Sequence, residues 1–279
     1  MRKAAYFIGI FICAVIISYL LDVMITNTYQ IQKNIVETGK FRNMNIDEKS
    51  ISGGEKFSRK NNVDFSRVLG CYFLAENLEM KKQSFSLKKY KKFNSNYSIA
   101  DKDEYAKVCK VMSAIFDDLE YFPVAKSSVS DDWITYEDSF GADRNYNGAY
   151  RHEGADLMAE YNVSGYYPIV SVTDGTVENI GWLEKGGYRI GIRGKSGGYF
   201  YYAHLSSYAN IKKGDKIKAG TLLGYMGDTG YGKAEGTSGN FDVHLHFGIY
   251  IKTENYTELS INPYHILKYL EDKLIIANY

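Results

Sequence analysis

Hydrophobic and polar positions change rhythm along this chain, and each rhythm predicts a different element. Ala4 to Leu21 is an unbroken uncharged, mostly apolar stretch, preceded by Arg2 and Lys3 and closed by Asp22. A helix needs roughly 17–25 apolar residues to cross a bilayer, so this run is long enough. A cleavable signal peptide has a shorter apolar core, about 7–15 residues, and ends in small residues. The following Val23-Met24-Ile25-Thr26-Asn27 contains no Ala-x-Ala site. An uncleaved anchor over residues 1–25 is therefore expected, with its basic tip in the cytoplasm and the body of the protein outside.

From Thr26 to about Asn62 the chain is polar and mixed in charge, with Ser52-Gly53-Gly54 in the middle, and reads as a stalk, in part helical near the membrane. Helical spacing then takes over across residues 63–125. Val68, Cys71, Tyr72, Ala75 and Leu78 share one face, and Tyr105, Val108, Met112, Ile115, Phe116 and Leu119 share another. Asp101 and Glu104 stand in capping-box-like positions before the second helix, and Pro123 lies beyond its end. A small helical module is expected here, with no chemistry of its own.

Near Trp133 the period shortens to two. Glycines become dense, and Tyr167–Thr173, Gly175–Trp182, Tyr188–Arg193, Tyr199–His204 and Phe241–Ile251 read as strands, with weaker candidates at Ile217 and Thr221–Tyr225. Such short runs between Gly-rich turns predict an antiparallel, mainly β domain over residues 126–279. Pro263 followed by Ile266-Leu267-Tyr269-Leu270 suggests a closing helix packed on the sheet.

Composition sharpens this picture at only a few points. The chain has 279 residues, 45% hydrophobic and 24% charged, with a formal net charge of +1. No global field draws it to nucleic acid. Lys81-Lys82 and the basic run Lys88 to Lys92 read as a solvated helix end or loop. Cys13 lies in the anchor behind the bulky Ile12, unlike a lipoprotein attachment site. Cys71 and Cys109 fit apolar helix faces as buried free thiols, with a disulfide as the alternative in an oxidising space.

Candidate chemistry rests on histidine. Of the five histidines, four fall into His152-Glu-Gly-Ala-Asp156, His204 and His244-Leu-His246. In a strand, alternation sends His244 and His246 to one face and Leu245 to the other. Two imidazoles and one carboxylate on a common face hold zinc and leave a fourth position open for water. The remaining histidines are then free for proton transfer. His152-x3-Asp156 is weak alone, and Gly154 favours a loop entering a strand rather than a helix. His204 alone reads as structural, and so does His265, which lies outside every motif.

Together these pieces, with Gly224-Tyr-Met-Gly-Asp-Thr-Gly230 leading towards His244-Leu-His-Phe247, resemble the lysostaphin-type, LytM-like zinc metallopeptidases. The resemblance covers the chain from Trp133 onward. It implies a LytM-like β fold, one zinc ion per domain and cleavage of peptide bonds in bacterial cell-wall peptidoglycan. By position it makes His152, Asp156 and His246 the zinc ligands and His204 and His244 the catalytic residues. His244 is then the candidate general base, and His204 stabilises the oxyanion or protonates the leaving amine. These two roles are interchangeable at the level of sequence. Glu153 adjoins a ligand, but neighbours on an extended chain point apart, so it is left out.

The loop from Asp228 through Asn240 is long for this family and is expected to form one groove wall. Its phosphate-loop near-match, Gly227 with Gly232-Lys233, has Ala234 where Ser or Thr is required, and is accidental. Two other classes compete. A membrane-anchored envelope or sporulation scaffold, with a peptidase-like domain in a structural role, is disfavoured by the presence of all the expected residues. A non-haem iron oxygenase shares the two-histidine, one-carboxylate triad, but has no use for two further histidines. The expected protein is thus a peptidoglycan endopeptidase on the cell membrane, with envelope proteins as further partners through the helical region. Which bond it cuts stays open.

Overall fold

The computed structural model describes residues 2–145 and 148–279, with side chains described from Phe7 onward. Its first element, α1 (Arg2–Tyr29), is a single long helix. Its most apolar 18-residue window, between Phe7 and Tyr29, has a mean hydropathy of 2.6 and buries nothing within the chain. The helix continues past Asp22, where the apolar run stops, because Val23 to Tyr29 holds no glycine or proline to break it.

Residues 26–62, expected as a stalk, are folded and correct that reading. After the end of α1 come α2 (Gly39–Arg42) and α3 (Glu48–Asn61), which bury Phe41 and Ile51. Polar composition concealed this because the buried positions are few and widely spaced. Gly54, read as linker, allows close packing: a Cβ there would lie 2.8 Å from Leu69 and 3.4 Å from Phe85. Next come α4 (Phe65–Ala75), α5 (Leu87–Ala100) and α6 (Lys102–Phe116). Side chains of Asp47, Asp64, Ser86 and Asp101 accept from backbone N–H groups in the first turns of α3 to α6, satisfying donors that a helix start leaves unpaired. The basic run opens α5 as a solvated helix end, with Lys88, Lys89, Lys91 and Lys92 exposed and Tyr90 and Tyr97 buried. Cys71 and Cys109 are free thiols, and burial pushes the Cys71 thiol well above its ordinary pKa.

The remainder is mainly β. In chain order the strands are β1 (Lys126–Ser127), β2 (Ile134–Thr135), β3 (Asp143–Asn145), β4 (Ala149–Arg151) and β5 (Ala155–Ala159). They continue as β6 (Pro168–Val170), β7 (Gly175–Leu183), β8 (Gly187–Gly194), β9 (Tyr199–Tyr208), β10 (Lys216–Ile217) and β11 (Leu222–Met226). The last are β12 (His244–Ile251), β13 (Leu259–Ile261) and, after the closing helix α7 (Tyr264–Leu270), β14 (Ile276–Ala277). The central sheet runs in the order β10-β7-β8-β9-β12-β5-β2, and its neighbours pair antiparallel. β11 joins β9 to β6, and β13 pairs with the far half of β12.

Several boundaries differ from the sequence reading. The strand expected over Tyr167–Thr173 is confined to β6, and β12 begins at His244 rather than Phe241. β9 runs on past His204, where the expected strand ended, to Tyr208 because it pairs there with β11. Alternation holds best in β12: Leu245, Phe247, Ile249 and Ile251 are buried in the core, while His244, His246 and Tyr250 take the other face.

The core is continuous from the helices into the sheet domain. Arg42 at the end of α2 donates from Nε to the Ser260 carbonyl (2.9 Å) and from Nη2 to Ser260 Oγ (2.6 Å). Asn262 N returns a bond to the Arg42 carbonyl (2.8 Å). The Tyr269 hydroxyl of α7 reaches Glu55 on α3 (2.8 Å). These contacts seat the helices on β13 and α7.

Candidate functional site

Strand register assembles the site. His246 on β12 lies directly opposite Asp156 on β5 and, on its other side, opposite Ala203 on β9. Paired residues of adjacent strands share a face, so Asp156 and His246 meet although ninety residues separate them. His152 arrives from the short connection between β4 and β5. Gly154 within that connection is required: a Cβ there would come 2.5 Å from the Phe247 carbonyl and 2.7 Å from the His246 ring.

Three side-chain atoms converge. His152 Nε2 is 3.1 Å from Asp156 Oδ1 and 3.0 Å from His246 Nδ1, and His246 Nδ1 is 3.0 Å from the same Asp156 oxygen. The trio could hold a metal ion. His152 Nδ1 faces away from the trio, 3.1 Å from the Ser139 carbonyl, 3.0 Å from Ser139 Oγ and 3.3 Å from Arg144 Nη2, which turns Nε2 towards the cluster. Burial by itself would raise the pKa of Asp156, but hydrogen bonds from His152 and His246 outweigh it and hold the carboxyl far below its ordinary range.

His204 and His244 stand beside this trio, with their ring centres 4.7 Å apart. Each is fixed by a backbone carbonyl. His204 Nδ1 donates to Thr229 O (2.7 Å) and His244 Nδ1 donates to Asp242 O (2.7 Å), leaving both Nε2 atoms unprotonated. His244 Nε2 is 3.9 Å from Asp156 Oδ1. Burial depresses the pKa of both imidazoles, and for His204 the neighbouring His244 and His246 add to it. Both are therefore neutral bases at neutral pH.

His204 also has a left-handed backbone, φ 62°, which is strained for a residue with a side chain. The surroundings impose it. His204 N donates to Gly186 O (2.8 Å), Thr229 Oγ1 donates to Leu205 O (2.7 Å), and Tyr188 N donates to Thr229 Oγ1 (3.0 Å). Gly187, φ 61°, lies against Thr229, where a Cβ would come 2.2 Å from its carbonyl oxygen.

All five residues singled out in the sequence thus come together, and His265 lies apart on α7. Sequence reasoning missed Arg144 on β3. Its Nη2 donates to Asp156 Oδ2 at 2.6 Å, leaving Oδ1 for the cluster. An isolated arginine in a polar hairpin gives no signal in the sequence. The groove beside the cluster has a volume of about 410 Å³. Its lining residues fall between Arg144 and Tyr250, and the helices supply none of them. Tyr231, from the long loop after β11, forms part of one wall, and its hydroxyl meets that of Tyr150 across the groove at 3.0 Å.

The model for peptidase family M23 matches residues 150–259. Among curated relatives, the L-Ala–D-Glu endopeptidase of Bacillus subtilis (strain 168) is 41% identical over 135 residues, spanning 48% of this chain and 40% of that protein. Lysostaphin of Staphylococcus simulans is 35% identical over 98 residues, which cover 34% of this chain and 17% of that protein. The chain thus spans less than half the length of these curated relatives. A crystal structure from Ruminococcus gnavus ATCC 29149, of a candidate glycyl-glycine endopeptidase lytM, matches much further: 43% identity, 89% of this chain, 96% of that chain and a TM-score of 0.77. With the likeness extending through helices and sheet alike, the chain belongs to peptidase family M23.

Proposed function

We propose that the protein is a zinc-dependent endopeptidase of bacterial peptidoglycan, held to the membrane by α1 with its β domain outside the cytoplasm. The convergence of His152 Nε2, Asp156 Oδ1 and His246 Nδ1 carries this reading. Their separations of 3.0–3.1 Å compare with about 3.3–3.4 Å between neighbouring donors around tetrahedral zinc at about 2.0–2.1 Å. Two imidazoles and an ionised carboxylate are also a donor set that zinc favours. When bound, the ion supplies Lewis acidity and brings hydroxide within reach near neutral pH.

The chain's own residues do the rest. Arg144 holds Asp156 Oδ2, so that the carboxylate offers its other oxygen as a ligand. His244 presents an unprotonated Nε2 and takes the proton as water attacks the scissile carbonyl. His204 has the same tautomer, so it must gain a proton before it can donate to an oxyanion or a leaving amine. The two imidazoles are alike in kind, and separate substitutions distinguish their roles. The basic Arg2 and Lys3 ahead of the apolar run support a cytoplasmic N-terminus.

Digestion of native sacculi by the full-length protein in detergent tests this reading, with mass spectrometry naming the bond cut. Wild type is expected to release peptide fragments, whereas His244→Ala and chelated wild type release none. Identical fragments from wild type and His244→Ala would sink the assignment, as would stoichiometric iron without zinc in protein purified without added metal.

A further inference from the structure

The groove carries its charge on its rim. Arg144, Arg151 and Lys185 line it, and Glu153 and Asp156 are the acidic groups facing them. In a chain whose net charge is +1, this is a local excess of cations. The three are not equivalent. Arg151 turns back to the Gly141 carbonyl (3.0 Å) and towards Asp143 (4.0 Å). Arg144 is committed to Asp156. Lys185 has no carboxylate partner among the described residues; its Nζ lies 3.8 Å from the centre of the Tyr150 ring. A ring face attracts the charge of an ammonium without accepting all of its N–H bonds.

Lys185 is also firmly mounted. The Tyr150 hydroxyl is paired with that of Tyr231, which steadies the ring beneath the ammonium. The Lys185 carbonyl accepts from Tyr231 N (3.4 Å), and the next residue, Gly186, accepts from His204 N. A cation with donors to spare therefore stands one residue from the bond that places a candidate catalytic imidazole.

We propose that this groove selects peptides bearing a free carboxylate beside the scissile bond, with Lys185 receiving that carboxylate. The proposal rests on the peptidase reading above. It also separates the two chemistries named for relatives of this chain: an L-Ala–D-Glu bond adjoins a carboxylate-bearing residue, and a glycyl-glycine bond does not. A charge-assisted hydrogen bond from Lys185 favours the first and contributes nothing to the second.

Calorimetric titration of full-length, zinc-loaded His244→Ala protein in detergent tests this without consuming the ligand. The probes are L-Ala-γ-D-Glu-L-Lys, the same tripeptide with the glutamyl α-carboxylate converted to carboxamide, and tetraglycine. The acid is expected to bind about tenfold more tightly than the carboxamide, and tetraglycine to bind more weakly still. Lys185→Gln removes the preference for the acid, Lys185→Arg retains it, and Lys213→Gln, outside the groove, leaves it intact. Equal affinity for acid and carboxamide overturns the proposal; so does a preference that survives Lys185→Gln, or an equal loss of both ligands in that variant. Failure of the peptidase reading looks different: the wild-type protein then leaves peptides and sacculi uncut while the preference in binding persists.

Discussion

The helical and β regions place their side chains by different means. In the helices, buried residues pack element against element, Phe41 on Phe73 and Tyr72 on Phe85 and Phe93, and build a core without a groove residue. In the sheet, His246 owes its position to strands centred on Asp156 and Ala203, both distant in sequence. The site is therefore a property of strand register, and a one-residue slip of β12 would turn every imidazole on it into the core. The helices act on stability through their seat on β13 and α7, at a distance from the chemistry.

That contrast can be broken from either side. The largest effect is expected from Asp156→Ala, which removes a proposed ligand and leaves Arg144 unpaired: zinc content measured by mass spectrometry falls to background, and hydrolysis with it. His244→Ala should retain zinc and lower kcat by roughly 10²–10⁴-fold, the usual contribution of a positioned acid–base group. On the helical side, Phe41→Ala should destabilise the fold by about 3–5 kcal/mol in chemical denaturation, while the folded fraction keeps its kcat/KM. A large fall in kcat/KM for folded Phe41→Ala would show that the helices reach the chemistry after all. Arg144→Gln should weaken zinc binding by roughly 10–100-fold, as loss of a group that orients a ligand does, measured by competition with a chelator. The smallest effect belongs to Arg42→Ala, a loss of about 1.5–3 kcal/mol in stability from its bonds to Ser260, with zinc affinity unchanged.

How much of this was legible in the sequence follows from the same contrast. The alternation in His244-Leu-His246 is local, so it could be read directly, whereas the grouping of His246 with Asp156 was implied only by the resemblance to the LytM-like peptidases. The Asp101 cap was also readable because its acceptor and the Glu104 N–H lie within one turn. By contrast, α5 was hidden because lysines outnumber the widely spaced Tyr90, Phe93 and Tyr97 that face the core. α3 was hidden because Gly53-Gly54 reads as linker, whereas its smallness serves the approach of Leu69 and Phe85. Arg144 was invisible for another reason. Its importance lies wholly in where β3 delivers it, and nothing in its immediate sequence sets that destination.

The turn between β7 and β8 bears on how such a groove can diversify. Hairpin turns ordinarily absorb insertions with little harm. Here Glu184, Lys185 and Gly186 accept backbone bonds from Gly232, Tyr231 and His204 in a tight row. Any added residue would shift His204 along with the rim. The segment from Lys233 to Ser238 is held more loosely, chiefly by the bond from Gly230 N to Thr237 O and by Thr237 closing on Ala234. Changes of length should accumulate in that second loop, while the first turn changes by substitution at position 185. In related chains, then, the reach of the groove and its charge would vary independently of each other.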